Sequence, residues 1–322
     1  MKLGVFTPLF NNLSFDEMIA EVASKGLQTV EIGTGGSPGN AHLDIDKLLA
    51  SSDARKDYLA RLSDKNLEIS ALSCHNNPIS PLADVAKEAD ELLRKTIKLA
   101  SLMHVPVVNG FSGVAGGNAT DTHVNWPVLP WPTEYDDSYN YQWDNKLIPY
   151  WKGINTEATA AGIKIGIELH GGFLAHTPYT MLRLRDAAGD AIGCNLDPSH
   201  LWWQGIDPVA AIKILGSKNA IHHFHAKDTY LDQDNINMHG LTDMQPYDNV
   251  ATRAWTFRSV GCGHDLKVWS DIVSALRIYG YDYVLSIEHE DPIMSIDEGL
   301  NRAITNLRSV MIQDQPANPW WL

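Results

Sequence analysis

The sequence has few cysteines, an acidic excess and no long apolar run. Its three cysteines, Cys74, Cys194 and Cys262, share no C-x-x-C spacing, so they predict neither a disulfide framework nor a thiolate metal site. Lysine and arginine number 25 against 39 aspartates and glutamates, for a formal net charge of -14. This balance excludes the basic face that a nucleic-acid partner requires. No apolar stretch reaches membrane-spanning length, so we expect no membrane partner either.

Targeting and linker signals are also missing. Met1 leads almost directly into apolar strand residues without a signal-peptide pattern, and this predicts a cytoplasmic protein. The 322 residues contain no low-complexity block or long linker. We therefore expect a single domain over residues 1–322.

What the sequence does contain is a series of short apolar strands alternating with helices. Ser14, with Glu17 three residues later, is a capping-box signal for the first helix. Alternating strands and helices predict a parallel sheet, and eight repeats predict a closed (β/α)8 TIM barrel. An open doubly wound sheet is the alternative, but its glycine-rich phosphate turn after the first strand is missing. The predicted strands cover residues 3–7, 29–32, 67–74, 105–109, 163–168, 191–196, 220–228 and 283–287.

Two connections are longer than a plain barrel needs, at about residues 111–145 after the fourth strand and 229–258 after the seventh. The first holds six aromatic residues between Trp126 and Trp143, which predicts an aromatic roof over a site. An oligomer contact is the alternative. The tail, residues 313–322, ends in two tryptophans and a leucine and is expected to dock on the body or on a neighbouring subunit.

Carboxylates and a histidine stand at the C-terminal ends of the last four predicted strands, as Glu168, Asp197, His225 and Glu288. Alternate residues of a strand face opposite sides. The apolar residue before each carboxylate faces the helices, so each carboxylate faces inward. Taken singly, such a carboxylate is commonly a helix cap.

Three carboxylates and a histidine at one barrel mouth would repel one another without a cation. Hard oxygen ligands with one imidazole favour one divalent ion, Mn²⁺ first and Mg²⁺ or Co²⁺ as alternatives. Zn²⁺ is a further alternative, although its sites are more often richer in histidine or cysteine.

Four strand-end motifs carry a resemblance over essentially the whole chain. They resemble the signatures of the xylose-isomerase-like TIM barrel superfamily, and within it the sugar phosphate isomerase/epimerase family of ketose 3-epimerases, inosose-handling enzymes and hydroxypyruvate isomerases. The motifs are Ile167-Glu168-Leu169-His170, Leu196-Asp197-Pro198-Ser199-His200, Phe224-His225-Ala226-Lys227-Asp228 and Ser286-Ile287-Glu288-His289.

The resemblance implies that Glu168, Asp197, His225 and Glu288 are the metal ligands. It also implies that Glu168 and Glu288 are the acid/base pair, and that His200 contacts the substrate. The implied activity is a divalent-metal-dependent sugar isomerase or epimerase that removes a proton alpha to a carbonyl and forms a metal-stabilised enediolate. A 3-keto-sugar or 3-keto-glycoside lyase that eliminates from the same enediolate is the alternative.

Further inward-facing or motif residues are candidates for substrate binding. His170 follows Glu168 and either touches substrate or holds a carboxylate. Lys227 either steadies an oxyanion or forms a salt bridge to a ligand carboxylate. Arg258 precedes a glycine-rich turn where the family often places a substrate-binding arginine, and His75 ends the third strand. Glu31, on the second strand, is interpreted as a barrel residue that holds a lysine.

The substrate is expected to be an unphosphorylated sugar or keto-sugar, because no basic cluster stands out beyond Arg258 and Lys227. Two other functions stay open. Apurinic-site endonucleases share the barrel, but they need a basic groove that the net charge does not provide. A non-catalytic metal-binding scaffold is the other. Relatives often form dimers or tetramers, so we expect a homo-oligomer, with a hetero-complex as the alternative.

Overall fold

A closed barrel of eight parallel strands forms the centre of the molecule. The computed structural model describes residues 1–314 and residue 321. The strands are hydrogen-bonded in the order β1-β10-β7-β6-β5-β4-β3-β2, which confirms the predicted (β/α)8 TIM barrel. The barrel strands are β1 (Lys2–Phe6), β2 (Thr29–Gly33), β3 (Glu68–Ser73), β4 (Val107–Gly110), β5 (Lys164–Glu168), β6 (Ile192–Leu196), β7 (Ile221–Ala226) and β10 (Val284–Ile287).

Helices lie between successive barrel strands. The first begins with the predicted capping box, in which Ser14 and Glu17 exchange side-chain and backbone hydrogen bonds. Within the described part of the chain, every helix is too short or too polar to cross a membrane. The helices are α1 (Phe15–Ser24), α2 (Ile45–Ala50), α3 (Ser52–Ser63), α4 (Ala83–Met103), α5 (Thr133–Tyr141), α6 (Ile148–Ala161), α7 (Pro178–Ala188), α8 (Pro198–Trp202), α9 (Pro208–Gly216), α10 (Gln233–His239), α11 (Leu266–Ile278) and α12 (Ile296–Val310).

The first long connection, between β4 and β5, buries one of its aromatic residues in the core and leaves others exposed. α5 continues through a π-helical turn, Gln142–Leu147, into α6. Trp143 is fully buried in the main core, whereas Trp131 is 77% exposed. Amphipathic helices bury their apolar face against the barrel, and here that face includes Trp143.

The second long connection contains a small antiparallel ribbon that the sequence did not predict. β8 (Asp228–Leu231) pairs with β9 (Trp255–Arg258), and α10 lies between them in the chain. Trp203, Ala254, Trp255 and Phe257 form a separate apolar cluster beneath the ribbon. The partners are separated by more than 20 residues, so no local turn signal links them.

The chain end is described only in part. Of the predicted tail, the structure describes Gln313, Asp314 and Trp321, and Trp321 is 68% exposed. The prediction that this tail docks on a surface otherwise falls outside the described residues.

Candidate active site

The four residues predicted as metal ligands meet at the C-terminal mouth of the barrel. Glu168 ends β5, Asp197 follows β6, His225 lies in β7 and Glu288 follows β10. One ligand atom from each lies within 4.8 Å of the others. Because parallel strands end at one edge, side chains of inward parity converge there. The structure thus brings together the four residues that strand parity selected.

Asp197 caps a helix and also faces the cluster, which the sequence presented as alternatives. Its Oδ1 accepts a hydrogen bond of 2.8 Å from the Ser199 N–H and so caps α8. Its buried Oδ2 accepts no aligned hydrogen bond from the described residues, and its nearest cation is the Lys227 ammonium at 3.2 Å. A divalent ion ligated by Asp197, Glu168, Glu288 and His225 would complete the coordination of this oxygen. Three carboxylates and one imidazole therefore fit a divalent ion.

Lys227 supplies positive charge beside this cluster. Its buried ammonium Nζ lies 2.9 Å from Glu288 Oε2, 2.8 Å from Glu290 Oε2 and 3.2 Å from Asp197 Oδ2. Burial opposes the charge, but these carboxylates raise the pKa of Lys227 well above its usual value. Of the two roles considered for Lys227, the salt bridge is the one observed. Glu290 was not recognised in the sequence, although its position two residues after Glu288 gives it the same inward parity.

The carboxylates differ in their protonation because their partners differ. Burial raises the pKa of Asp197 to about 7, against the opposing charge of Lys227. Burial also acts on Glu168, but contacts with His200 and His75 hold its pKa well below the usual range. Burial tends to raise the pKa of Glu288, but Lys227 and His225 outweigh this effect and lower the pKa to about 2. Glu168 and Glu288 are therefore ionised at neutral pH.

Glu31 holds the histidine of the cluster from inside the barrel. Its two carboxylate oxygens lie 3.0 Å and 2.9 Å from His225 Nε2. Ser73, Asn109 and Ser286 also donate to it, at 2.5, 2.9 and 2.8 Å. The expectation that Glu31 holds a lysine is wrong, because imidazole, hydroxyl and amide groups from four strands fill its coordination. This arrangement leaves His225 Nδ1 for the cluster, 3.0 Å from Glu288 Oε2.

His200 is oriented toward Glu168 by a tryptophan. The Trp203 Nε1–H donates to His200 Nδ1 at 3.4 Å, and His200 Nε2 lies 2.9 Å from Glu168 Oε1. Burial lowers the pKa of His200 to about 3, so its imidazole is neutral and carries its hydrogen on Nε2. His75 approaches the other oxygen, with Nε2 2.8 Å from Glu168 Oε2. Both histidines support an ionised Glu168.

A cavity of about 620 Å³ opens above these groups. Three of the predicted substrate-binding residues, His75, His170 and Lys227, line it, together with His200, Glu168 and Glu288. The roof was not predicted. It includes Phe111 and, from the second insert, Tyr247, Arg253 and Phe257.

Arg258 and the aromatic segment of the first insert, both expected near the substrate, are absent from the cavity lining. Arg258 lies outside the lining, because its Nε donates to Asp291 Oδ2 at 3.0 Å. The segment from Trp126 to Trp143 contributes no lining residue. Trp126 donates instead to the Phe173 carbonyl at 3.0 Å, and Trp143 belongs to the core. No sequence pattern marked the second insert as the roof.

Known proteins resemble this chain along nearly its whole length. The family model described as xylose isomerase-like TIM barrel matches residues 19–310. The uncharacterized protein YfiH of Bacillus subtilis (strain 168) is 38% identical over 316 residues, covering 97% of this chain and 100% of that protein.

Solved structures share the fold at low identity. The probable 3-DHS dehydratase AsbF from Bacillus anthracis has a TM-score of 0.67 at 19% identity and covers 96% of this chain and 99% of its own. The 3-keto-D-glucoside 4-epimerase YcjR from E. coli has a TM-score of 0.65 at 11% identity, with the same coverage of 96% and 99%. A D-tagatose 3-epimerase-like protein has a TM-score of 0.63 at 20% identity, covering 96% and 98%.

Proposed function

The chain belongs to the xylose isomerase-like TIM barrel family, and on that premise we propose that it is a divalent-metal-dependent isomerase or epimerase of a sugar or keto-sugar. The observation that carries this proposal is the grouping of Glu168, Asp197, His225 and Glu288 within 4.8 Å at the base of a cavity. Sites with perturbed carboxylates in a cleft are candidates for proton chemistry.

The four grouped residues would hold the ion, and Mn²⁺ is the ion that their oxygen-rich donor set favours. A bound divalent cation supplies an electrophile that stabilises negative charge on a carbonyl oxygen. Lys227 adds a fixed positive charge next to Asp197 and Glu288. Negative charge on a substrate near this cluster is therefore less costly than in water.

Glu168 is the proposed base for the alpha proton. It is ionised, it lines the cavity, and His200 and His75 hold its two oxygens in place. Glu288, after β10, lines the same cavity and is also ionised. For isomerisation, the carboxylate that removes the proton is then protonated and returns that proton to the adjacent carbon. For epimerisation, the other carboxylate takes up a proton from water and delivers it on the opposite face.

A second candidate function is β-elimination from a 3-keto-sugar or 3-keto-glycoside. Removal of the alpha proton is the same step, and the leaving oxygen then needs a proton donor. The Lys227 ammonium lines the cavity beside Glu288 and is the protonated group available there. The two functions differ only in the fate of the intermediate that deprotonation forms.

Proton NMR in D₂O separates these functions. Protein loaded with Mn²⁺ is incubated with ketoses, inososes and 3-keto-glucosides. Exchange of one carbon-bound proton with conserved mass supports the isomerase or epimerase, and release of an aglycone or water supports the lyase. We expect Glu168→Gln to slow exchange by about a hundredfold or more.

Glu298→Gln is the matched control, since Glu298 lies in α12, outside the cavity lining and the grouped four. It should retain most of the exchange rate. Exchange that persists unchanged in Glu168→Gln contradicts the assignment of the base. Metal binding without exchange of any compound would favour a scaffold over an enzyme.

A further inference from the structure

Arg253 is a buried arginine of the second insert that forms part of the cavity roof. It follows a short 3-10 turn, Val250–Thr252, and precedes β9. Its side chain lines the cavity, yet the residue is only 2% exposed. A buried guanidinium is costly unless an anion or several acceptors compensate its charge. The charge of Arg253 must therefore be compensated by the groups that surround it.

Neutral groups hold most of the guanidinium. Nε donates to the Trp255 carbonyl at 3.0 Å, and Nη1 donates to the Gln245 carbonyl. The rings of Tyr247 and Trp255 lie 4.2 Å and 4.4 Å from the guanidinium carbon. These contacts fix the plane of the guanidinium, and the two rings favour its charge. None of them is an anion.

The remaining nitrogen, Nη2, has no acceptor among the described residues, and the guanidinium forms no ion pair with any described carboxylate. Asp243 contributes charge nearby, but its oxygens accept the Gln245 N–H at 2.9 Å and the Ala254 N–H at 2.7 Å. Nη2 carries two N–H donors. Buried donors of this kind are rarely left unpaired, so this one calls for an acceptor from outside the chain.

The backbone around Arg253 is fixed on both sides. Asn235 Nδ2 donates to the Arg253 carbonyl at 3.0 Å, and the next residue is held by Asp243. The Trp255 ring stacks on the Trp203 ring, with centroids 4.9 Å apart and planes 8° from parallel. The position of the guanidinium is thus set before a ligand arrives, which lowers the entropic cost of binding.

We propose that Arg253 binds a carboxylate of the substrate, so that the substrate is an acidic sugar such as a uronic acid or its glycoside. This rests on the proposed function and names its substrate class. In this arrangement the reacting carbon lies over Glu168 and Glu288 and the carboxylate lies against Arg253 in the roof, where a small shift of the covering side chains exposes the buried Nη2.

A monoanion fits this cavity better than a phosphate. Lys227, the other cation of the lining, already contacts three carboxylates. Glu288 and Glu290 also line the cavity and would repel a dianion. Since Nε and Nη1 are engaged, Nη2 can give a carboxylate one charge-assisted hydrogen bond.

The alternative is a purely structural role, in which Arg253 only stabilises the loop from Gln245 to Trp255. Loss of a structural arginine would weaken the binding of all ligands alike, whereas loss of an anion site would weaken only the binding of ligands that carry the carboxylate. The pair methyl β-D-glucuronide and methyl β-D-glucoside separates these roles, because the two differ only in a carboxylate against a hydroxymethyl group. Both are blocked at the anomeric carbon, so binding is measured without turnover.

The experiment is calorimetric titration of both ligands into Mn²⁺-loaded wild type, Arg253→Gln, Arg253→Lys and Arg258→Gln. We expect the wild type to prefer the glucuronide. Arg253→Gln should lose about tenfold or more of glucuronide affinity with little change for the glucoside, and Arg253→Lys should lose less. Arg258→Gln is the matched control, because Arg258 lies outside the lining, and it should keep the preference.

An equal loss of affinity for both ligands in Arg253→Gln would overturn the proposal in favour of the structural role. A wild type without preference for the glucuronide, including one that binds neither ligand, would overturn it as well. Failure here is distinct from failure of the proposed function. If the protein exchanges protons of neutral keto-sugars but does not prefer the glucuronide, only the acidic substrate class is contradicted. If it prefers the glucuronide but exchanges no proton, only the isomerase or epimerase activity is contradicted.

Discussion

The floor and the roof of the cavity are built in opposite ways. The floor consists of side chains from the barrel strands, and each charge there has a partner within the chain, as Glu31 has His225 and Lys227 has Glu288. The roof comes mainly from the second insert, and its cation Arg253 keeps a nitrogen for which the described residues provide no partner. We infer that the floor is organised for chemistry and the roof for recognition. Variants on the two sides should therefore separate metal binding from ligand binding.

The largest effect is expected in the floor, from Asp197→Asn. Asparagine retains an oxygen that can cap α8, but it removes the anionic Oδ2 that faces the cluster. Mn²⁺ affinity should fall by about a hundredfold or more, because metal affinity depends on deprotonated ligands. Titration calorimetry with Mn²⁺ measures this, and circular dichroism checks that the barrel is intact. Unchanged affinity would exclude Asp197 as a ligand.

Glu31→Gln tests whether a residue below the proposed metal ligands also contributes to metal affinity. Glutamine fills the same space but cannot hold His225 with two anionic oxygens. Loss of such a supporting carboxylate typically costs about 10–100-fold in metal affinity, and we expect a loss in that range. Ser286→Ala removes one donor to Glu31 and leaves the carboxylate, so it should have a much smaller effect. Equal Mn²⁺ affinity in Glu31→Gln and wild type would make Glu31 a purely structural residue.

Phe257→Ala tests the roof. The Phe257 ring lines the cavity and lies 4.6 Å from Lys227 Nζ, so its loss should raise the KM for substrate by about 2–10-fold. Mn²⁺ affinity should stay at the wild-type value. Tyr230→Ala, on the neighbouring strand of the ribbon but outside the lining, is the control. A drop in Mn²⁺ affinity in Phe257→Ala would show that floor and roof are not separable.

The smallest effect is expected far from both regions. Ser14→Ala removes the cap of α1 and should lower the free energy of unfolding by about 1 kcal/mol. Mn²⁺ affinity and KM should be unchanged, which gives the baseline for a variant that affects stability alone. Denaturant unfolding measures it. A change in KM here would mean that stability losses reach the site, and the other variants would need correction for them.

The parts of the site that could be predicted from sequence are those governed by strand periodicity. Glu168, Asp197 and Glu288 each follow an apolar strand residue, so their inward direction follows from alternation along one strand. Glu290 obeys the same rule and could have been found with it. The capping box at Ser14 was also local and was confirmed.

Residues whose roles depend on distant partners were predicted poorly. Glu31 was assigned to the barrel interior correctly, but its partner is His225, which is 194 positions away. Arg258 was a reasonable candidate from its motif, yet Asp291 holds it outside the cavity. The first insert was expected to form the roof because it is rich in aromatics, and composition does not indicate which face of a helix packs on the core.

The sequence by itself determined the barrel and the set of charged strand ends, because apolar periodicity and parallel strands leave one edge where such side chains can meet. Only the tertiary structure decided which insert covers that edge and which arginine lines the cavity. Those outcomes depend on long-range contacts, such as the pairing of β8 with β9 and the stacking of Trp255 on Trp203. Contacts of this kind leave no periodic signal along the chain.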